Sequence, residues 1–276
     1  MGNLAKRSMT GILYVGVIVG CIIWGNIGVL LLSLLFSALG IAEFGILSDR
    51  NHAPALIRVY DIIGGILLTF GIAMYYSSLP VATPLFMLSW LLWLMGRMII
   101  ELYFHEKDAL NHMCRSLAGQ IYIALPLGLL NIVNQFSWHL TLLMFILIWL
   151  NDTGAFIVGS SIGRHRLFER ISPKKSWEGF WGGMAFCIAC SIAAFYLLLD
   201  TTGNIMPLGY WIGYGIAVSA FATWGDLVES MIKRTVGVKD SGNILPGHGG
   251  ILDRIDSLLF VVPLTFIYIT IVRAII

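Results

Sequence analysis

Charged side chains are scarce in this chain. Asp, Glu, Lys and Arg make up only 12% of its 276 residues, whereas hydrophobic residues make up 58%. A typical soluble domain has about 25% charged residues. Because long apolar runs recur from one end of the chain to the other, the composition excludes a water-soluble domain of useful size. It predicts an all-α, polytopic integral membrane protein.

Cysteine is also rare. The chain has four cysteines, and all of them lie in or beside apolar stretches. Cys187 and Cys190 have C-x-x-C spacing, but they lie within the apolar run AFCIACSIAAF. We therefore interpret them as packing residues and not as a redox or metal-binding pair.

Several catalytic motifs are missing as well. The sequence has no P-loop G-x-x-x-x-G-K-[ST], no H-E-x-x-H, no G-x-S-x-G and no Cys/His zinc set. It also has no internal repeat, low-complexity tract or long linker. Residues 1–276 are therefore predicted to form a single integral-membrane unit. Within it, 1–150 are predicted to be transmembrane helices without a motif, and 151–276 the catalytic transmembrane region.

The apolar runs predict about nine transmembrane helices. The first run is short, but it has no small-residue cleavage site, so we expect a retained span and not a signal peptide. The nine candidate spans are 10–24, 27–47, 61–79, 83–100, 117–133, 138–158, 177–199, 207–232 and 251–272.

The basic residues predict the orientation of these spans. Of the 17 Lys and Arg residues, all except Arg273 lie in or next to the charged loops of one side. Cytoplasmic loops carry the excess of Lys and Arg in membrane proteins. We therefore expect the N-terminus and the active site to face the cytoplasm and the C-terminus to lie outside, in the cell inner (cytoplasmic) membrane.

Three ionisable residues mark the cytoplasmic end of the eighth span. Asp226 and Glu229 are three positions apart, and Lys233 follows Glu229 by four, so a helix places all three on one stripe. One interpretation is a solvated helix end with a Glu–Lys pair. The other is a functional site, because a carboxylate within a membrane segment is costly unless a metal or a base offsets its charge.

The ninth span begins in a similar way. Asp253 and Asp256 are three positions apart, and the glycine-rich segment Pro246–Gly250 precedes them. This segment is predicted to form a backbone nest for an anion at the helix N-terminus; the alternative is a plain helix-entry loop. Two acidic helix ends that meet at one cleft hold Mg²⁺ with few protein oxygens. The predicted ligands are Asp226 and Asp253, with Asp256 and Glu229 in support.

Other polar residues interrupt or flank the earlier spans. Asp152 lies in the middle of the sixth apolar run, where it needs a partner. The segment Ser172-Pro173-Lys174-Lys175 precedes a helix that we expect to begin at Trp177. Its lysines either anchor the membrane edge or bind a triphosphate or a lipid phosphate. Glu43, a lone carboxylate in the second span, either hydrogen-bonds within the bundle or lines a lipid-facing cleft.

A longer pattern extends over residues 230–256. It reads Ser230-x-x-Lys233-Arg234, then Lys239-Asp240-x-Gly242, then Leu245-Pro246-x-His248-Gly249-Gly250-x-x-Asp253-Arg254-x-Asp256. This pattern resembles, without a departure, the signature of the phosphatidate cytidylyltransferases, also called CDP-diacylglycerol synthases. The upstream segments 152–155 and 172–179 are similar to that family too, with Phe156 where Tyr is commoner. The resemblance covers the C-terminal part of the chain, roughly the last 45%.

The resemblance implies a reaction in which CTP and phosphatidic acid give CDP-diacylglycerol and pyrophosphate with Mg²⁺. The expected partners are CTP, phosphatidic acid, membrane lipid and a second copy of the chain in a homodimer, and no nucleic acid. Catalytic roles are predicted for Asp226, Lys233, Asp253 and Asp256. Substrate contacts are predicted for Asp152, Ser172, Lys174, Lys175, Arg234, Lys239, His248, Gly249, Gly250 and Arg254.

Two alternatives stay open at this point. A CTP-dependent lipid-alcohol kinase would use the same chemical groups but would transfer the γ-phosphate. A transporter for an anionic solute would use the intramembrane charges as its translocation site. Broken helices and paired half-repeats are typical of such transporters, and the sequence has no such repeat.

Overall fold

The computed structural model describes residues 3–49, 54–76, 82–103, 108–198, 207–242 and 249–275. Almost all of these residues are helical, so the chain is an all-α polytopic membrane protein, as predicted. The helices of the first half are α1 (Asn3–Ile23), α2 (Asn26–Asp49), α3 (Ala55–Ala73), α4 (Ala82–Tyr103), α5 (Ala109–Gly119) and α6 (Leu125–Phe136). Those of the second half are α7 (Trp138–Ile162), α8 (Trp177–Leu198), α9 (Leu208–Thr235) and α10 (Leu252–Ile275).

Three short elements complete the chain. A 3₁₀ turn, Met74–Tyr76, follows α3, and a π-helical segment, Gln120–Ala124, joins α5 to α6. Strands β1 (Arg166–Phe168) and β2 (Ser172–Ser176) form an antiparallel hairpin between α7 and α8. The sequence predicts only a charged loop at 159–176. The strands are short and mostly polar, so they lack the apolar alternation by which a strand is recognised.

Seven of the helical stretches that the structure describes are long and apolar enough to cross a membrane. They coincide with seven of the nine predicted spans. The predicted first span corresponds to the shorter apolar helix Gly11–Ile23. The predicted eighth span corresponds to α9, a helix rich in glycine and aromatic residues that is not among these seven described stretches. The number of nine spans therefore stays a prediction.

The chain forms two compact units. Unit 1 contains Met1–Trp138 and Val238–Arg254, and unit 2 contains His139–Gly237 and Ile255–Ile276. The predicted single membrane unit, with its division after residue 150, stays a prediction.

Unit 1 has a core in which α2, α3 and α6 pack against one another. Leu127, Leu130 and Val133 of α6 are fully buried there. Several polar groups within this core are paired, as is usual for buried polar groups. For example, the Asn131 side-chain amide donates to Ser33 Oγ at 2.8 Å.

A second network of polar residues in unit 1 surrounds Arg97, which is only 2% exposed. Its Nη1 atom lies 2.5 Å from Glu101 Oε2, and its Nε atom donates to Ser116 Oγ at 3.0 Å. The Ser116 hydroxyl in turn donates to Asp61 Oδ2 at 2.7 Å. Arg97, Glu101, Ser116 and Asp61 are therefore parts of one largely buried network.

Candidate active site

A cleft of about 490 Å³ lies in unit 2 among α7, α8, α9 and the β-hairpin. Its wall combines acids and bases, a mixture that suits a phosphorylated ligand with a cation. Four of its ionisable residues are among the predicted site residues: Asp152, Lys174, Lys175 and Asp226. The fifth, Arg166 on β1, was missed because it stands in a run of basic residues without a motif.

Close contact between α7 and α8 shapes one side of this cleft. A Cβ atom on Gly183 would lie 2.7 Å from the Asn151 carbonyl oxygen, and one on Gly159 would lie 3.4 Å from Gly179 Cα. Small residues allow helices to approach in this way within a membrane. The glycines therefore place Asp152, which lies between Asn151 and Gly159 on α7, beside the start of α8.

The start of α8 also fixes the hairpin. Ser176 caps the helix, because its Oγ atom accepts a hydrogen bond from the Gly179 N–H at 3.1 Å. Glu178 in the first turn accepts from the His165 N–H at 3.2 Å, and the Trp177 N–H donates to the His165 carbonyl at 2.9 Å. The helix begins at Trp177, as predicted, and these bonds hold Lys174 and Lys175 of β2 at the cleft.

Asn151 connects α7 to α9 on the buried side of the cleft. It is 2% exposed, and its Oδ1 atom accepts from Ser219 Oγ at 2.6 Å. Its Nδ2 atom donates to Thr223 Oγ1 at 3.3 Å. Asn151 therefore has a structural role, and it orients the turn of α7 that carries Asp152.

Lys175 and Asp226 form an ion pair inside the cleft. Lys175 Nζ lies 2.5 Å from Asp226 Oδ2, and the two side chains are 27% and 31% exposed. The Ser230 hydroxyl donates to the other carboxylate oxygen, Oδ1, at 3.2 Å. Since the pair is partly solvated, a ligand with its own charges can replace either partner.

Glu229 and Lys233 form the predicted pair one turn apart on α9. The sequence suggests a solvated helix end as one interpretation, but both residues are buried: Glu229 is 2% exposed and Lys233 8%. Burial of two charges is costly unless they remain together. This pair therefore supports the C-terminal end of α9 from inside unit 2.

Asp256 meets Asp226 where α10 crosses α9 within unit 2. A Cβ atom on Gly225 would lie 2.9 Å from the Asp256 carbonyl oxygen, and Ser257 Oγ donates to the Ala222 carbonyl at 3.0 Å. The Asp256 carboxyl group is near the carboxylates of Asp226 and Glu229. The predicted meeting of acidic helix ends is thus present for Asp226 and Asp256.

Asp253 belongs to unit 1, where it closes the turn before α10. Its Oδ2 atom accepts from the Gly250 N–H at 2.8 Å and from the Ser241 N–H at 3.0 Å. Gly249 has φ +80°, the left-handed conformation expected for the predicted nest. Since the Gly250 N–H donates within the chain, the role of this turn in anion binding stays a prediction, as does a shared metal site with Asp226.

The structure also describes four other predicted residues. Ser172 on β2 is half-buried, and Lys239, Arg234 and Arg254 are exposed. The Arg234 Nε atom donates to the Ile171 carbonyl at 3.4 Å, and the Arg254 carbonyl accepts from the Tyr14 hydroxyl at 3.0 Å. His248 and the first part of the glycine-rich segment lie outside the described residues.

The described residues contain no group of three or more His, Cys, Asp or Glu side chains placed to hold a metal ion by themselves. Mg²⁺ does not need such a cage, because it usually keeps several waters and binds one or two carboxylates together with substrate phosphates. Asp226 and Asp256 supply two carboxylates in one place. The donor set therefore fits Mg²⁺ together with a phosphate ligand.

A family model described as the cytidylyltransferase family matches residues 5–272 of the chain. The chain is also similar to proteins named phosphatidate cytidylyltransferase. That of Staphylococcus aureus (strain COL) is 49% identical over 126 residues, which cover 46% of this chain and 47% of the relative. Those of Staphylococcus epidermidis and Staphylococcus saprophyticus are 51% and 48% identical over 126 residues, covering 45% and 46% of this chain and 46% and 47% of the relatives. The chain thus spans about half the length of the curated relatives it matches.

Proposed function

Because the chain belongs to the cytidylyltransferase family, we propose that it transfers the cytidylyl group of CTP to phosphatidic acid in phospholipid biosynthesis. An oxygen of the lipid phosphate attacks the α-phosphorus of CTP. The bond between that phosphorus and the oxygen that bridges to the β-phosphate breaks, and pyrophosphate leaves. The product in the membrane is CDP-diacylglycerol.

The observation that carries the proposal is the cleft in unit 2, where three bases face two acids. Both reactants are anions, so they repel each other unless positive charge lies between them. Arg166, Lys174 and Lys175 supply that charge from the hairpin. Fixed positive groups of this kind stabilise the charge that develops on the transferring phosphoryl group, and they hold the reactants in an orientation for attack.

Mg²⁺ is part of the proposal. Asp226 and Asp256 would hold the ion, with Glu229 in support and Asp253 as a further predicted ligand. When bound, Mg²⁺ neutralises phosphate oxygens and supports departure of pyrophosphate. Lys175, which pairs with Asp226, would donate hydrogen bonds to a phosphate oxygen of CTP.

The membrane setting supports the same reaction. We propose that the hairpin and the cytoplasmic end of α9 lie at the cytoplasmic face of the cell membrane, because basic residues concentrate there. The phosphate of phosphatidic acid lies at headgroup level on that face, and CTP reaches it from the cytoplasm. A homodimer is proposed as the assembled form.

The test is transfer of radiolabel by the full chain purified in detergent, with phosphatidic acid, Mg²⁺ and CTP labelled at either the α- or the γ-phosphate. We expect α-label in the lipid fraction and γ-label in pyrophosphate. Lys175→Ala should lower this transfer. Arg273→Ala is the matched control, because Arg273 is a basic residue in the last turn of α10 and does not line the cleft. Appearance of γ-label in the lipid when diacylglycerol replaces phosphatidic acid would instead indicate a kinase. No transfer of either label would contradict both enzymatic functions.

A further inference from the structure

Glu43 lies in the apolar helix α2 and is 3% exposed. The sequence leaves open whether this carboxylate hydrogen-bonds within the bundle or lines a cleft. In unit 1 its Oε1 atom accepts from the Ile251 N–H at 2.8 Å, and its Oε2 atom accepts from the Leu252 N–H at 2.9 Å. Oε2 also accepts from the Ser241 hydroxyl at 3.2 Å. Both oxygens are therefore used within the bundle.

These bonds fasten the N-terminus of α10, which begins at Leu252. The first N–H groups of a helix have no partner inside the helix, and a negative charge placed there also interacts favourably with the helix dipole. The cap of α10 thus comes from a different helix, about two hundred positions earlier in the chain.

A second carboxylate acts on the same turn. Asp253 accepts from the N–H groups of Gly250 and Ser241, so Glu43 and Asp253 hold the turn from two sides. The space is tight, because a Cβ atom on Gly242 would lie 2.8 Å from Glu43 Oε1. A Cβ atom on Gly250 would collide with the Glu43 carboxylate and the Ser241 hydroxyl. Gly242 and Gly250 therefore leave the room that the Glu43 carboxylate occupies.

We propose that Glu43 is a positioning residue that sets the place of Asp253 for catalysis by capping α10. The proposal rests on the proposed function, in which Asp253 is a predicted metal ligand. It assigns a task to the N-terminal helices, which carry no motif of their own: α2 holds the 241–242 and 249–253 parts of the signature segment in the geometry that the reaction needs.

Glutamine at this position separates charge from packing. Glu43→Gln keeps the size of the side chain, but an amide has only one acceptor oxygen, and its NH₂ group would face donors. Glu101→Gln is the matched control, because Glu101 is also a buried carboxylate of unit 1, 5% exposed. It binds Arg97 and is not among the groups that hold the 249–253 turn.

The first measurement is the steady-state transfer of α-label by the full-length protein. For Glu43→Gln we expect kcat to fall at least about tenfold, which corresponds to roughly 1.4 kcal/mol, and the Mg²⁺ concentration for half-maximal rate to rise. Glu101→Gln should lower the melting temperature but leave both kinetic values near those of the wild type. If Glu43→Gln proves unstable, Ser241→Ala removes only one of the three donors and should change both kinetic values in the same direction by a smaller factor.

The second measurement does not depend on activity. Hydrogen–deuterium exchange of the peptide that contains residues 249–253 should be faster in Glu43→Gln, while exchange of a peptide from α7 stays the same. Wild-type exchange in Glu43→Gln would overturn the anchoring role even if the protein transfers no label at all. Faster exchange with unchanged kcat and Mg²⁺ dependence would overturn the positioning role and leave the proposed function intact.

Discussion

Lys175 Nζ and Asp226 Oδ2 lie 2.5 Å apart and join the hairpin strand β2 to helix α9. The two residues are 51 positions apart in the sequence, and each belongs to a different predicted group, one basic and one acidic. Exposed or partly exposed ion pairs contribute only about 0–1 kcal/mol to stability. Contacts to a bound ligand can therefore replace this ion pair at little cost in stability.

Lys175→Ala should reduce kcat/KM for CTP at least about tenfold, or roughly 1.4 kcal/mol, because a phosphate contact is lost. Its melting temperature should stay near that of the wild type, since little stability depends on the pair. The kinetic assay with α-labelled CTP and a thermal melt in detergent measure the two effects. Unchanged kinetics with both substrates would indicate that Lys175 only anchors the hairpin.

Asp256→Asn should separate stability from activity. Asp256 is near the carboxylates of Asp226 and Glu229, so a neutral amide in its place should leave the melting temperature equal or higher. Activity should fall at least tenfold, because the proposed Mg²⁺ site loses a ligand. Groups arranged for function commonly reduce stability in this way.

The comparison variant for Asp256→Asn is Ser257→Ala, which removes a neighbouring hydrogen bond to the Ala222 carbonyl. It should lower the melting temperature and keep the Mg²⁺ dependence of the rate. If Asp256→Asn instead melts at a lower temperature and its folded fraction keeps full activity, the carboxylate is structural.

Gly225→Ala should force α9 and α10 apart within unit 2. The added Cβ atom would lie 2.9 Å from the Asp256 carbonyl oxygen and 3.1 Å from Ser257 Cα. Overpacking of this kind costs about 1–3 kcal/mol, and it should also lower activity because Asp226 is the next residue. Gly209→Ala on the same helix has nothing within 4 Å of its new Cβ and serves as the control. Equal melting temperatures for the two variants would contradict the close helix contact.

The orientation can be tested with single cysteines in a cysteine-free background. Arg170, at the turn of the hairpin, and Ile275, at the end of α10, are both exposed. In intact cells, a membrane-impermeant thiol reagent should label Ile275→Cys and leave Arg170→Cys unlabelled until the cells are opened. Labelling of Arg170→Cys in intact cells would contradict the predicted orientation. The proposed active site would then face away from the cytoplasm, which supplies CTP.

The sequence predicts those features that depend on local patterns. Long apolar runs predict helices, and seven of the predicted spans coincide with helical stretches that the structure describes. The spacing of Glu229 and Lys233 predicts their ion pair. The segment Ser172-Pro173-Lys174-Lys175 predicts that α8 begins at Trp177. Each of these features depends on residues that are close together in the sequence.

Most features that depend on residues distant in the sequence could not be predicted. The contact between Glu43 and Ser241 joins positions 198 apart, and no local pattern selects one partner for a lone carboxylate. The same holds for Arg97, which looks like an isolated charge at a span end but is buried with Glu101 and Ser116. In both cases the sequence shows a charged residue inside or next to an apolar run. Such a residue requires a partner, but the sequence does not identify the partner.

The π-helical segment Gln120–Ala124 limits how this chain can change in length. Its wider turns accommodate one more residue than an α-helix of equal rise, and each residue rotates an α-helix by about 100°. Deletion of one residue from this segment would therefore restore a regular helix without turning α6. Deletion of one residue between Leu125 and Leu130 would instead turn the rest of α6 by about that angle. Asn131 would then face away from Ser33, its hydrogen-bond partner at 2.8 Å. The π-helical segment is therefore the position in α5–α6 at which the loss of one residue is expected to keep the Asn131–Ser33 hydrogen bond.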